Sequence, residues 1–428
     1  MKKYKIHTMG CKSNQYEGSV IESNLKKHGM EKAERIEDAD IYILNSCSVT
    51  HKSDNEAMYL LRSVKHKNPK ILTVLTGCVA QIEKERLLEN ENIDYVVGND
   101  EKLELYENLK SRIAVSDIME LREFHEAEIS DMTKTRASVK IQDGCDNRCS
   151  YCIIPFARGR SRSADTEFII NQINKFAENG FKEVVFTGIH IGLWGKERGE
   201  NLCGLLRSVE ERTDIARYRL GSLNPLEITD ELLDLLEKSK KFCPHFHLSL
   251  QSACDKTLKS MNRFYSTEGY LKQIEEINRR FDKPFLGSDI ITGYAGESAE
   301  DFEITRLNLE KSGLTQIHTF PYSIREGTVG AVSDEQVEES VREARASVVK
   351  EISARKYEAF VRSNLGSVRE VLVEKHLDRH DNRLKGVTRN YLTVHLDTND
   401  TGLANTLQMV RLMRYENGKI YGRIEKGE

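Results

Sequence analysis

Three short apolar runs near the start of the chain each stop against a cysteine. Tyr4-Lys5-Ile6-His7-Thr8 leads into Gly10-Cys11, Ile41-Tyr42-Ile43-Leu44-Asn45 into Ser46-Cys47, and Ile71-Leu72-Thr73-Val74-Leu75-Thr76 into Gly77-Cys78. Helical patterns separate the runs, and such alternation predicts a parallel sheet clothed in helices. A fourth run, Tyr95-Val96-Val97, ends in Gly98 without a cysteine. In an open α/β sheet the carboxyl ends of the strands share one edge, where ligands bind. Cysteines far apart in sequence can therefore converge there. A single free cysteine is commonly a small buried hydrophobe, but recurrence at one strand position points to a metal site.

A second trio follows in Val139-Lys140-Ile141-Gln142-Asp143-Gly144-Cys145-Asp146-Asn147-Arg148-Cys149-Ser150-Tyr151-Cys152. Here a short apolar strand runs out into a C-x3-C-x2-C turn. A structural zinc site normally takes four protein ligands, usually as two separated pairs, and no fourth Cys or His lies close to this loop. An iron–sulfur cube with cysteine on every iron would also take a fourth thiolate. Three leave one iron open to an outside ligand, and the first trio has the same count. Nine cysteines is an odd number in a long chain with no secretion signal, which argues for metal or redox chemistry over a disulfide framework. Cys203, Cys243 and Cys254 read as core residues.

A chain of 428 residues predicts two or three domains. With 64 Lys+Arg against 68 Asp+Glu there is no global basic field, so RNA binding would need a local patch. The start lacks the apolar core of a signal peptide and no later run approaches a membrane span. The reading is a cytoplasmic protein without membrane contact. Residues 1–115 form the first predicted domain, and an irregular acidic connection (Glu120, Glu123, Glu126, Glu128, Asp131) follows.

From residue 135 to 362, strand and helix patterns alternate as a partial TIM-type (β/α)6 barrel. The predicted strands are Ala137–Gln142, Glu183–Thr187, Arg217–Gly221, His245–Leu250, Phe285–Ile291 and Leu314–Phe320. The intervening helices are Asp165–Asn179, Asn201–Arg212, Thr229–Lys240, Thr267–Phe281 and Ala299–Ser312, with Gly180 and Gly313 at helix C-caps. Barrel chemistry sits just past strand ends, and the polar motifs fall there: the second cysteine trio, the glycine-rich Thr187–Gly195, Ser222-Leu223-Asn224-Pro225, Ser249-Leu250-Gln251-Ser252 and Asp289–Glu297. Ser333-Asp334-Glu335-Gln336 reads as a capping box opening a helix with Val337, Val341, Ala344, Val348 and Ile352 toward the barrel. Residues 364–428 then read as a small β-barrel, with Asn417-Gly418 as a hairpin turn.

These motifs carry a family resemblance. The cysteine loop, with an aromatic residue before its last Cys, resembles the signature of radical S-adenosylmethionine (SAM) enzymes, in which the methionine end of SAM occupies the open iron. Thr8-Met9-Gly10-Cys11-Lys12-Ser13-Asn14, Asn45-Ser46-Cys47-Ser48-Val49-Thr50 and Gly77-Cys78-Val79-Ala80-Gln81 resemble the three motifs of the methylthiotransferase N-terminal domain. The C-terminal barrel resembles the TRAM module, an RNA-binding domain. The resemblance spans nearly the whole chain. Ser46 stands where the family usually has Thr, Ala253-Cys254 where it has Gly-Ser, and Thr292-Gly293-Tyr294-Ala295 where it has Val-Gly-Phe-Pro.

The resemblance implies two 4Fe-4S clusters, one on Cys145, Cys149 and Cys152, and an auxiliary one on Cys11, Cys47 and Cys78. It assigns Tyr151 and Ile153 to the adenine side of SAM, Gly188 to its methionine amino group, and Ser222, Gln251 and Arg263 to polar contacts. Arg158, Arg160 and Arg162 either clamp phosphates, as guanidinium groups do well, or form a solvated or paired face. The likeness of Phe156–Ser163 to the tRNA-directed branch favours RNA contact, with Tyr322 and Arg325 admitting or stacking the target base.

The implied reaction inserts a methylthio group at C2 of a tRNA adenosine derivative. That unactivated C–H bond calls for radical chemistry: one SAM yields a 5′-deoxyadenosyl radical, and a second methylates the sulfur carried by the auxiliary cluster. No side-chain base is assigned. Phe156–Ser163 and Thr187-Gly188-Ile189-His190 most resemble the branch acting on threonylcarbamoyladenosine beside the anticodon. Isopentenyladenosine tRNA is the next substrate, and ribosomal protein the third. The implied partners are the tRNA anticodon stem-loop, an external electron donor and a sulfur donor. From another class, a non-catalytic iron–sulfur electron carrier or an RNA-binding scaffold remains open.

Overall fold

The computed structural model describes residues 2–127, 129, 134–378 and 382–425. Glu128 and Asp131 of the acidic connection lie outside the described residues. The protein is α/β, with a parallel sheet, a parallel partial barrel and a small closed barrel in chain order.

The first sheet has six parallel strands in the order Glu31–Lys32, Lys3–Thr8, Ile41–Ser46, Leu72–Gly77, Tyr95–Val97 and Ile113–Ala114. The two edge strands escaped the sequence reading because two residues carry no periodicity. Ile41–Ser46 is buried at every position, as a strand covered on both faces must be. Leu44 and Leu75 pack under Ala57, Leu61 and Val64 of the helix His51–Lys67. On the other face Tyr4, Ile43 and Val74 meet Ile21 and Leu25 of the helix Lys12–Lys27.

In the middle region the parallel strands run Ala137–Lys140, Glu183–Thr187, Arg217–Arg219 with Ser222–Leu223, His245–Leu248, Phe285–Thr292 and Gln316–Pro321. The third is broken: its first part pairs with Glu183–Thr187 and its second with His245–Leu248. Helices Thr166–Glu178, Leu202–Arg212, Asp230–Lys238, Thr267–Arg280 and Ala299–Lys311 cover the outside. Gly180 does follow a helix in the left-handed region, at φ 82°. Gly313 does not: its helix ends in extended Ser312. A Cβ on Gly313 would lie 2.6 Å from Asn278 Nδ2 and 3.1 Å from Ile274 Cγ2, so close helix packing accounts for that glycine.

The capping-box expectation is corrected. The long helix spans Glu339–Asn364 and its N-cap, Glu338, makes no side-chain cap bond. Ser333 instead follows a short 3-10 turn, Val329–Val332, and Gln336 donates to the carbonyls of Gly330 and Ser333. The buried stripe of the helix is Ala346, Val349, Ile352 and Ser353, while Val341 and Ala344 are exposed. Ser353 Oγ accepts from the Ile317 amide at 2.8 Å, fastening the helix to the last barrel strand.

The C-terminal barrel closes through the strands Val368–Val373, Lys385–Thr388, Thr393–Leu396, Lys419–Ile424 and Leu407–Glu416. Asn417 and Gly418 both have positive φ, the two-residue hairpin geometry. This barrel is hung on the central one by buried arginines. Arg217 and Arg219 share the carboxylate of Glu183 and donate to the carbonyls of Val387, Thr388 and Arg389.

Candidate active site

Cys11, Cys47 and Cys78 follow the strands Lys3–Thr8, Ile41–Ser46 and Leu72–Gly77 at the carboxyl edge of the first sheet, in loops held by a lattice of side-chain bonds. Asn14 Nδ2 donates to the carbonyls of Met9 and Ser46 at 3.0 and 2.7 Å, and Asn45 Nδ2 to that of Asn14 at 2.9 Å. Ser46 Oγ donates to the Thr76 carbonyl at 2.6 Å and accepts from the Val79 amide at 3.2 Å. That second role needs only a hydroxyl, so Ser serves where the family usually has Thr. Gly77 has φ 91°, and a Cβ there would sit 2.4 Å from the Ser46 carbonyl; only glycine makes this turn. Burial pushes the Cys47 thiol up to about 12, with Cys78 and Cys11 beside it adding to the effect. A thiolate here requires a cation to stabilise it.

The cations are nearby. Glu17 is fully buried against Lys102, Lys140 and Arg158, and Asp143 joins Lys140, Arg158 and Arg162. Burial alone would raise the Glu17 carboxyl, but Arg158, Lys102 and Lys140 outweigh it and hold it well below its ordinary value. The network sets four cations against two carboxylates, and Lys102 and Arg158 both feel the charge of Cys78. Arg158 Nε is buried without a partner among the described residues. An excess of buried positive charge beside three converging cysteines fits an anionic thiolate-bound cluster.

Cys145, Cys149 and Cys152 stand at the mouth of the barrel, half-buried. Gly144 makes the turn at φ 68°; a Cβ on it would fall 1.9 Å from the Arg160 carbonyl. Gln142 links this loop to the next strand end. Its Nε2 donates to the carbonyls of Asp143 and Gly144, and its Oε1 accepts from the amides of Ile189 and His190. Two side chains reach the sulfurs: His190 Nδ1 lies 3.7 Å from Cys145 Sγ, and Arg263 Nη1 3.5 Å from Cys149 Sγ. Glu227 holds the other nitrogen of His190. Burial would lower the imidazole, but Cys145 and Glu227 outweigh it and raise it to about 9. Such donors suit thiolates that carry charge on a metal. Among the described residues no three His, Cys, Asp or Glu groups close around a single metal ion.

A cavity of about 250 Å³ adjoins this loop, lined by Tyr151, Cys152, Ile153, Gln251 and Asp289, and on its far side by Val49 and Thr50 from the loop after Cys47. Tyr322 walls it and is backed by Tyr294 in an edge-to-face pair, ring centroids 5.0 Å apart. His51 N donates to Ser323 Oγ across the same seam.

Residues 3–98 match the uncharacterized protein family UPF0004, and residues 139–307 the Radical SAM superfamily. The chain is 33% identical to a threonylcarbamoyladenosine tRNA methylthiotransferase of Bacillus subtilis, over 91% of this chain and 89% of that one. It is 32% identical to a tRNA-2-methylthio-N(6)-dimethylallyladenosine synthase of Clostridium botulinum, over 90% and 88%. The chain belongs to the radical SAM methylthiotransferase family. In fold it is similar to a radical SAM methyltransferase, TsrM, of Kitasatospora setae, with a TM-score of 0.57 and 14% identity, covering 78% of this chain and 77% of that one.

In this methylthiotransferase Tyr151, Ile153 and Gln251 line the cavity, and Gly188, Ser222 and Arg263 stand outside that lining. The space a side chain at Gly188 would take is filled by the Gln142 carbonyl and Ile191. Ser222 Oγ pairs with His247 Nδ1 at 2.9 Å, and His247 Nε2 faces Asp289 at 3.3 Å inside the barrel. The Arg263 guanidinium donates to Cys149, the Ser249 carbonyl and Tyr265, so it braces a cluster ligand with three of its five N–H groups.

The arginine run is also corrected. Arg158 and Arg162 are buried in the network described above and cannot clamp a phosphate. Arg325 is buried on Asp54 and Ser48 of the first domain, with Nη2 2.7 Å from Ser48 Oγ, and Tyr322 is a buried wall residue. Only Arg160 of the run is exposed. A run of arginines carries no signal that tells pairing from display; the distant acids Glu17 and Asp54 decided it. Cys203, Cys243 and Cys254 are buried. No helix among the described residues is long and apolar enough to cross a membrane.

Proposed function

We propose that this methylthiotransferase inserts a methylthio group at C2 of threonylcarbamoyladenosine next to the anticodon of tRNA, in the cytoplasm. The observation that supports the two-site arrangement is the cavity shared by the loops that follow Cys47 and precede Ile153. The substrate choice is supported by the naming of the Bacillus subtilis relative.

Two 4Fe-4S clusters, on Cys145, Cys149 and Cys152 and on Cys11, Cys47 and Cys78, together with two SAM molecules, supply the radical and sulfur chemistry that an unactivated C–H bond requires. The protein's residues bind and orient. Arg263 and His190 donate toward Cys149 and Cys145 and hold those thiolates in place. Tyr151, Ile153 and Gln251 shape the SAM pocket, and Tyr322, backed by Tyr294, keeps water from it. The Glu17 network locks the two cysteine edges at one separation, which a transfer between them depends on. The RNA lies over Arg160 and the C-terminal barrel. An external reductant and a sulfur donor complete the partners.

Mass spectrometry of tRNA nucleosides from a strain lacking the protein tests the substrate: the methylthio form of threonylcarbamoyladenosine disappears. Loss confined to the isopentenyl derivative would favour the second reading, which the Clostridium botulinum relative supports; intact tRNA with an unmodified ribosomal protein would favour the third. Anaerobic incubation with SAM and a reductant separates the enzyme from an electron carrier or scaffold, since only the enzyme releases 5′-deoxyadenosine.

A further inference from the structure

A second cavity, of about 610 Å³, opens where all three domains meet. Ser138, Val185 and Arg219 form its floor; they are register partners on neighbouring strands. Their neighbours Ala137, Val139, Val184 and Tyr218 belong to the helix-side core. Alternation therefore turns the floor residues toward the barrel lumen. Lys12 from the first domain, Arg136 at the barrel entrance and Tyr391 from the C-terminal barrel form the walls.

The charges in this cavity do not cancel. Glu374 and Asp378 on its rim face Lys385 at 3.8 and 3.5 Å. Arg219 is spent on Glu183 and two carbonyls. Lys12 makes no hydrogen bond or ion pair with any described residue. Arg136 stands over the Tyr391 ring at 5.9 Å and its one carboxylate contact among the described residues is with Glu183, at 3.9 Å, which Arg217 and Arg219 already hold. Tyr391 adopts φ 68° in the turn between Lys385–Thr388 and Thr393–Leu396, a conformation that costs a non-glycine residue. Its ring stands 4.1 Å from His245. Burial would raise its phenol, yet Lys12, Arg136 and Arg219 outweigh burial and lower it. The potential in the cavity is positive.

We propose that Lys12 and Arg136 bind the free carboxylate of the substrate's threonylcarbamoyl arm in this cavity. The inference rests on the substrate reading above and adds the subsite that selects it. Lys12 directly follows Cys11, so an anion on its ammonium lies one side chain away from the auxiliary cysteines. A carboxylate there gains charge-assisted bonds from both cations. An isopentenyl arm would desolvate them and return nothing.

Binding of synthetic anticodon stem-loops to the anaerobic holoenzyme tests this. The four probes carry the threonylcarbamoyl acid, its methyl ester, an isopentenyl arm or plain adenosine. Wild type should bind the acid about 10–100-fold tighter than the ester, the worth of a bond to a charged group. Lys12→Gln and Arg136→Gln should erase that ratio, and Lys12→Arg should restore part of it. Equal wild-type affinity for acid and ester overturns the proposal, even where both are turned over and the substrate reading stands. So does a Lys12→Gln loss equal for all four probes, which marks a phosphate contact. Turnover of the isopentenyl probe alone would sink the substrate reading itself.

Discussion

Arg158 and Glu17 form a fully buried ion pair across 141 residues of chain, with Nη2 3.0 Å from Oε2. One stands on the helix after the SAM-side cysteines and the other on the helix after Cys11. The pair therefore joins the two cysteine edges directly.

Glu17→Gln leaves Lys102, Lys140 and Arg158 buried with less counter-charge. Removing one partner of a buried pair costs about 3–5 kcal/mol. Denaturant unfolding of the variant should show a loss of that size, and limited proteolysis should cut the seam between the first two domains. A change below about 0.5 kcal/mol would mean that the pair does not hold the seam.

Stability should depend on pH through the same residue. The folded Glu17 carboxyl is held below its ordinary value, which for an unfolded chain is about 4.3. Its contribution is full above that value and lost as pH falls toward the folded value. Urea midpoints measured from pH 7 down to 3 should drop on the acid side, and less steeply in Glu17→Gln. Parallel profiles would assign the acid sensitivity to other carboxylates.

The two cysteine trios should be separable. Replacing Cys145, Cys149 and Cys152 by Ala should remove about half of the bound iron and abolish SAM cleavage. Replacing Cys11, Cys47 and Cys78 should remove about half of the iron and spare some cleavage. Iron analysis and 5′-deoxyadenosine release read both. Zinc, or a single cluster in the wild type, would defeat the two-cluster assignment.

Neighbouring arginines should behave oppositely. Arg160→Gln should weaken tRNA binding and lower the salt slope by about one unit, with stability unchanged. Arg162→Gln should destabilise the fold, because it strips Asp143 of a buried partner. Titrations at several salt concentrations and thermal unfolding distinguish them; an unchanged salt slope in Arg160→Gln would remove that residue from the RNA face.

Most strands and helices were legible because burial imposes periodicity on adjacent residues. Glu183–Thr187 reads directly from its sequence. The failures came where periodicity is silent. The two-residue edge strands have none, and Ser333–Gln336 matches a capping pattern while the Ser333 hydroxyl accepts from the Glu335 amide and Gln336 reaches back to the Gly330 carbonyl of the preceding turn. His190 and Arg263 could be flagged by position but not by role, because a thiol contact leaves no local pattern.

By itself the sequence determined the parallel architecture and which six cysteines stand at strand ends, since strand period and glycine-bearing turns are local properties of the chain. Tertiary structure alone decided what the charges do. Arg158, Arg162 and Arg325 are indistinguishable in sequence from Arg160 and Lys12. Whether a cation is buried on a carboxylate or left facing a cavity depends on partners brought in from other domains. The electrostatic energy that separates these fates is set by distance through space and by loss of solvent.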